Sequence, residues 1–193
     1  MKAHVAILAD YLEEGWTSMD HYAAKLVEGL ANRPRLAASI VRPAFRRRAS
    51  RLPQVFGPRR SDVLDRIANR YFDYPRAAGR LRGFELFHVM DQTYAHVTRR
   101  LPANRTVVTC HDLDFFDPPP STRYAWMVRW TGSVSLPGLQ RAARVICDSE
   151  AIRREITARG LVRTDRLAVV PLGVEPMFRP EGTRALAPTA EAL

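Results

Sequence analysis

Short apolar runs, separated by stretches of helical periodicity, constrain this chain more than any other feature. "HVAILA" (4–9), "AASIV" (37–41), "FELFHVM" (84–90), "RTVVTC" (105–110), "ARVIC" (143–147) and "LAVVPLG" (167–173) read as strands. They are nearly all apolar rather than alternating, as strands buried on both faces are. Between them, "DHYAAKLVEGLA" (20–31) sets Ala23, Leu26, Val27 and Leu30 at helical spacing. "DVLDRIANRYF" (62–72) gathers Val63, Leu64, Ile67, Ala68 and Tyr71 on one helical face. "SEAIRREITARG" (149–160) predicts a short helix capped by Ser149, favoured by Glu150 at its positive end and stopped by Gly160.

Strands alternating with helices define an α/β domain with a Rossmann-like, doubly wound parallel sheet, whose ligands gather at the carboxyl ends of the strands. The 193 residues suffice for one domain with a real core, and 46% hydrophobic residues exclude a disordered chain. No apolar run approaches the roughly 20 residues that cross a bilayer, and "MKAHVAILADYLEE" turns acidic before a secretory signal develops. Cys110 and Cys147 each end an apolar run, where buried free thiols are common. A reducing, cytoplasmic setting fits these features. The net charge is +10, almost all of it arginine, since the only lysines are Lys2 and Lys25. That excess reads equally as a GC-rich genome or as affinity for nucleic acid, anionic lipid or phosphorylated ligands.

Polar residues at strand ends supply the candidate site. In "DYLEEGWTSMDHY" (10–22), Gly15 permits a tight turn, and Trp16 and Thr17 lead into a helix whose "TSMD" resembles a capping box of Thr17 and Asp20. A glycine turn entering a helix can seat an anion, or it is an ordinary strand–helix connection; it is not GxGxxG, so no dinucleotide site is indicated. "VVTCHDL" (107–113) places His111 and Asp112 directly after a strand, where histidine can bond a sugar hydroxyl or a phosphate, or simply a loop carbonyl. Asp91, Tyr94 and His96 follow the strand before it. The five histidines and two cysteines show no tight metal-ligand spacing, and neither a Walker loop nor a GxSxG elbow is present. Residues 42–60, "RPAFRRRASRLPQVFGPRR", carry seven arginines and no acid, with Phe45, Leu52, Val55 and Phe56 interleaved. This is either a solvated loop or, through Arg46, Arg47 and Arg48, a surface for an anionic partner or membrane. No RNP, KH or helix-turn-helix signature points to nucleic acid.

"RAARVICDSEAIRREITARGLVRTDRLAVVPLGVEPMFRP" (141–180) resembles the end of the N-terminal domain in glycosyltransferase family 4. That family runs from an A-D-R-V-I-A-V-S strand to a V-V-P-N-G-V-D-x-x-x-F-x-P strand and hinge. Arg144, Val145, Ile146, Ser149, Val169, Val170, Pro171, Gly173, Val174, Phe178 and Pro180 match. Leu172 stands where the family has Asn, Glu175 where Asp is common, and the first loop lacks the family's double glycine. The resemblance implies the N-terminal half of a GT-B fold, with residues 1–174 as an acceptor-side domain and 175–193 as hinge and tail. The donor-binding domain would be absent from this chain.

The implied reaction moves a sugar from a nucleotide-sugar donor to a glycan, lipid-linked or small-molecule acceptor, with retention and without a bound metal or other cofactor. His111 would lie beside the transferred sugar with Asp112 supporting it, and Gly15, Trp16, Thr17, Asp91, Tyr94 and Ser149 would contribute substrate contacts. The protein would sit in the cytoplasm, with peripheral contact at the inner membrane face. The alternative from another class is a non-catalytic module that binds sugar phosphates or polyanions.

Overall fold

The computed structural model describes residues 2–51, 57–119, 121–122, 125–174 and 178. The proposed hinge and tail from 175 onward fall outside these, Phe178 excepted, as do Leu52, Val55 and Phe56 of the arginine-rich run. Six strands form one sheet: β1 (Ala3–Leu8), β2 (Leu36–Val41), β3 (Leu86–Val89), β4 (Thr106–Cys110), β5 (Arg144–Cys147) and β6 (Leu167–Val169). Their order is β2-β1-β3-β4-β5-β6, and every pairing is parallel. Each strand predicted from an apolar run is present, and the fold is the doubly wound, Rossmann-like α/β sheet.

Side chains along β1 alternate between two cores, as the pleat requires. Val5, Ile7 and Ala9 pack under α1 (Thr17–Ala31) against Ala23, Leu26, Val27 and Leu30. Ala6 and Leu8 point to the opposite face, into a larger core with Tyr74, Tyr94, Val97, Leu139 and Ile156. Cys110 and Cys147 are partners in register across β4 and β5, both buried and both free thiols.

The second helix, α2 (Pro58–Ala68), runs into a five-residue π-helical turn, Asn69–Asp73, and then α3 (Tyr74–Ala78). Its packing reverses the usual sense of an amphipathic helix. Ser61, Asp65 and Asn69, spaced four apart, are the buried positions. Asp65 accepts from the backbone amides of Arg48 (2.9 Å), Ala49 (2.8 Å) and Ser50 (3.0 Å), and Asn69 clamps both the N–H and the carbonyl of Arg46 at 2.8 Å. The apolar stripe that sequence periodicity identifies therefore faces outward: Val63 and Leu64 are exposed, and Ile67 and Tyr71 only half-buried. Periodicity locates such a stripe; the loop 46–50, whose backbone donors need acceptors, decides which side is covered.

Past β3 lies a 3-10 helix, Gln92–Arg100, buried from Gln92 to Thr98. The last long helix, α4 (Ala125–Arg141), packs on it through Gly138, where a Cβ would meet the Ala95 carbonyl oxygen at 1.9 Å. Ser135 Oγ donates to the Thr93 carbonyl (2.9 Å) and Thr98 Oγ1 to the Gly138 carbonyl (3.1 Å). Helix α5 (Glu150–Ala158) follows β5 as predicted. Ser149 Oγ accepts from the Ile152 amide, and Gly160 at φ 61° ends the helix by donating to the Thr157 carbonyl. The Leu161 amide reaches back to the Ile156 carbonyl, completing a two-bond helix stop.

Candidate active site at the carboxyl edge of the sheet

In this strand order the chain leaves β1 toward β2 and β3 toward β4, so the connections diverge between β1 and β3. Such a reversal opens a crevice at the carboxyl ends of the two strands. Five polar side chains converge there: Asp10 and Glu14 after β1, Arg70 from the π-helical turn, and Asp91 and Tyr94 after β3. The Tyr94 hydroxyl donates to Glu14 Oε1 at 2.7 Å. Arg70 Nη1 lies 3.4 Å from Glu14 Oε2, its guanidinium stacks 4.3 Å from the Tyr94 ring centre, and Nη2 donates to Thr93 Oγ1. Asp91 caps the 3-10 helix by accepting from the Thr93 amide at 2.5 Å.

Asp10 is 3% exposed and neither carboxylate oxygen finds a donor among the described residues. Burial, followed by the negative charges of Asp91 and Glu14, pushes its pKa up to about 9 against the pull of Arg70. A protonated Asp10 can donate to Asp91, and this gives the otherwise orphaned carboxyl a partner. The π-helical turn serves the same crevice. It directs Arg70 inward, and His96 Nε2 donates to the Arg70 carbonyl at 2.9 Å. Burial holds the His96 pKa down at about 4, so the ring is neutral and this one N–H is its donor.

A second cluster lies over β4 and β5. His111 Nε2 is 2.8 Å from the Met90 carbonyl oxygen, and Nδ1 is 2.5 Å from Asp148 Oδ2. Both neighbours are acceptors, an arrangement that favours the imidazolium, in which both ring nitrogens donate. Burial alone would lower its pKa; the hydrogen bond and charge of Asp148, then the Met90 carbonyl, reverse that and raise it. Tyr22 meets the ring edge-on at 5.2 Å, and the His111 amide donates to Gln92 Oε1 at 3.0 Å. Nearby His88, deeply buried, has its pKa lowered to about 4 first by burial and then by the His111 charge.

The expectation that Asp112 supports His111 is corrected: the carboxylate on the imidazole is that of Asp148. Asp112 Oδ1 instead accepts from the Asp114 amide (3.1 Å) and Gln92 Nε2 (3.2 Å), closing its own loop. The capping box is corrected too, because Trp16 occupies the cap position without a side-chain bond and Asp20 pairs with Arg42. Gly15, at φ 77°, donates its amide to the Leu12 carbonyl and Thr17 donates to the Gly15 carbonyl, so neither N–H is left for an anion. Ser149 spends its hydroxyl oxygen on the cap of α5. The arginine run is partly neutralised within the fold. Arg48 pairs with Asp73 through two bonds of 2.6 and 2.9 Å, and Arg47 lies 3.9 Å from Asp62 and 5.8 Å from the Phe45 ring. Arg46 is fixed by its backbone while its side chain is exposed.

Sequence reasoning missed Asp10, Glu14, Arg70 and Asp148. Asp10 and Asp148 were within reach, since each is the first or second residue beyond a strand, the signal that singled out His111. Arg70 carried no such signal, because its direction depends on the π-helical turn. Among the described residues no group of three or more His, Cys, Asp or Glu side chains is placed to hold a metal ion. None of the described helices is long and apolar enough to cross a membrane.

A doubly wound parallel sheet with a polar crevice at its strand-order reversal defines a Rossmann-like α/β domain. The chain belongs to glycosyltransferase family 4: the sequence model described as "Glycosyltransferase Family 4" matches residues 19–178. Among solved structures, LpCGTa in complex with UDP is similar over 92% of this chain and 56% of that one, at 10% identity and a TM-score of 0.45. The chain thus spans little more than half the length of that protein. No curated protein sequence matches it.

Proposed function

We propose that this chain is the acceptor-side domain of a retaining glycosyltransferase that moves a sugar from a nucleotide-sugar donor to an acceptor hydroxyl, without a metal. In this reading a second, donor-binding domain completes the enzyme, and residues 1–193 alone transfer no sugar. The observation that carries it is family membership across residues 19–178, on a sheet whose polar crevice lies where such folds bind ligands.

The residues divide the work by their bonding. His111, with both nitrogens engaged, cannot take a proton from the acceptor without breaking a bond. It acts as a fixed positive charge facing the negative charge that grows on the donor's leaving phosphate. Glu14, Tyr94 and Arg70 hold the crevice wall in one geometry beneath the acceptor. The test is transfer from a panel of labelled UDP-, GDP- and ADP-sugars, by this chain alone and by the same frame extended through the codons after residue 193. Transfer by the chain alone would overturn the two-domain part. No transfer by the extended polypeptide with any donor would overturn the glycosyltransferase reading.

A further inference from the structure

The outward apolar stripe of α2 has a counterpart. Between α2, the π-helical turn and α4 lies an open groove of about 490 Å³, within the roughly 300–1,000 Å³ typical of small-ligand sites. The chain has three tryptophans, from two separate segments, and all of them line this groove: Trp16, Trp126 and Trp130. They are 54%, 68% and 45% exposed, beside Val63 and Met127, which are exposed as well. Tyr71 meets Trp130 edge-on at 4.8 Å and ties the two walls together. Groups of this size are ordinarily buried in a core or occupied by a ligand.

Several polar groups in the lining are engaged with one another. Glu14 pairs with Arg70, and the Thr131 hydroxyl bonds to the Met127 carbonyl (3.2 Å) and the Tyr71 hydroxyl (3.1 Å). Arg66 stands apart as the exposed charge of the lining, with no ion pair among the described residues, while Arg70 Nε is buried there without a hydrogen-bond partner. The lining offers the Arg66 guanidinium and indole N–H donors, too few to bond every hydroxyl of a sugar, whereas a hydrocarbon chain has none to satisfy. An unpaired guanidinium at the wall matches a phosphate or another anion. The groove also shares Glu14 with the crevice, and Phe115 in its lining follows His111 by four residues, so a chain lying here ends near the carboxyl edge.

We propose that this groove holds the hydrocarbon chain of an anionic amphiphile, with the anionic group at Arg66, and that this amphiphile is the acceptor; the last clause rests on the glycosyltransferase reading above. The three tryptophans make the site its own reporter. The 193-residue chain is titrated with dodecyl phosphate below its micelle-forming concentration while tryptophan emission is followed. A saturable blue shift is expected, with uncharged dodecyl glucoside binding about tenfold more weakly, the loss of one charged contact. Arg66→Ala removes that preference, and Val63→Asp, an exposed position whose fold is checked by circular dichroism, weakens both ligands by more than about tenfold.

The inference is overturned by an unsaturable or absent shift, or by Val63→Asp binding as the parent does. It is also overturned if sedimentation shows a second copy covering this face, with Val63→Asp dissociating the pair. If dodecyl phosphate fails to bind while the extended enzyme glycosylates a water-soluble acceptor, the amphiphile falls and the transferase reading stands. If it binds and no nucleotide-sugar is consumed, the apolar site stands and the transferase reading falls.

Discussion

Replacing Asp10 with Asn is expected to stabilise this protein, by an amount that grows with pH. In the unfolded chain Asp10 ionises near 4, while in the fold burial and two neighbouring carboxylates hold the proton up to about 9. Between those values the folded state binds one more proton than the unfolded state. Stability of the parent therefore falls by about 1.4 kcal/mol per pH unit through that window and levels off above it. Asn keeps the shape and still offers an N–H to Asp91, but has no ionised form to favour unfolding. Between pH 5 and pH 7 the gap between Asp10→Asn and parent should widen by about 2.7 kcal/mol, or roughly 5–10 °C in Tm for a chain of this size. Thermal unfolding of both proteins followed by circular dichroism at pH 5, 6 and 7 measures it. Parallel Tm curves, or a variant destabilised equally at every pH, would show that Asp10 is ionised in the fold and would refute the reasoning.

Two other perturbations probe the remaining parts of the site and its support. Asp148→Asn removes the negative charge that favours the His111 imidazolium while keeping an acceptor oxygen, so the His111 titration followed by NMR should move down in pH; an unmoved titration would assign the shift elsewhere. Because the folded pKa of His111 is raised, the pair's contribution to stability is full below the unfolded histidine value and is lost as pH rises through the folded one. Gly138→Ala places a methyl group against the Ala95 carbonyl oxygen and should cost about 1–3 kcal/mol despite alanine's better helix propensity; chemical denaturation giving an unchanged or higher stability would mean that α4 can shift away.

The sheet was legible because its signal is composition over short windows. Runs such as "VVTC" and "RVIC" are mostly apolar at successive positions rather than alternating with polar ones, as strands covered on both faces are. The cap of α5 was legible for the same local reason, since Ser149 and Gly160 act on their immediate neighbours. The site was read in part. His111, Asp91 and Tyr94 stand at strand ends, and that placement follows from the strands themselves. Their partners do not: Asp148 reaches His111 across 37 residues, Glu14 reaches Tyr94 across 80, and no local pattern encodes either contact. Adjacency in sequence pairs Asp112 with His111; adjacency in space gives that place to Asp148. The stripe on α2 is a different case. Its apolar residues were identified, but their burial depended on competition with the amides of 46–50 for the same helix.

Helix α2 is fastened by hydrogen bonds on its polar side, and this has a calorimetric consequence. Apolar surface removed from water during folding raises the heat capacity of unfolding; Val63 and the three tryptophans keep about half of their surface wet, so they add less to it than core residues do. The same surface is still available to lose its water when the groove is filled. A negative heat-capacity change should therefore accompany ligand association, and the temperature at which the complex is tightest would be set by that groove rather than by the core of the sheet.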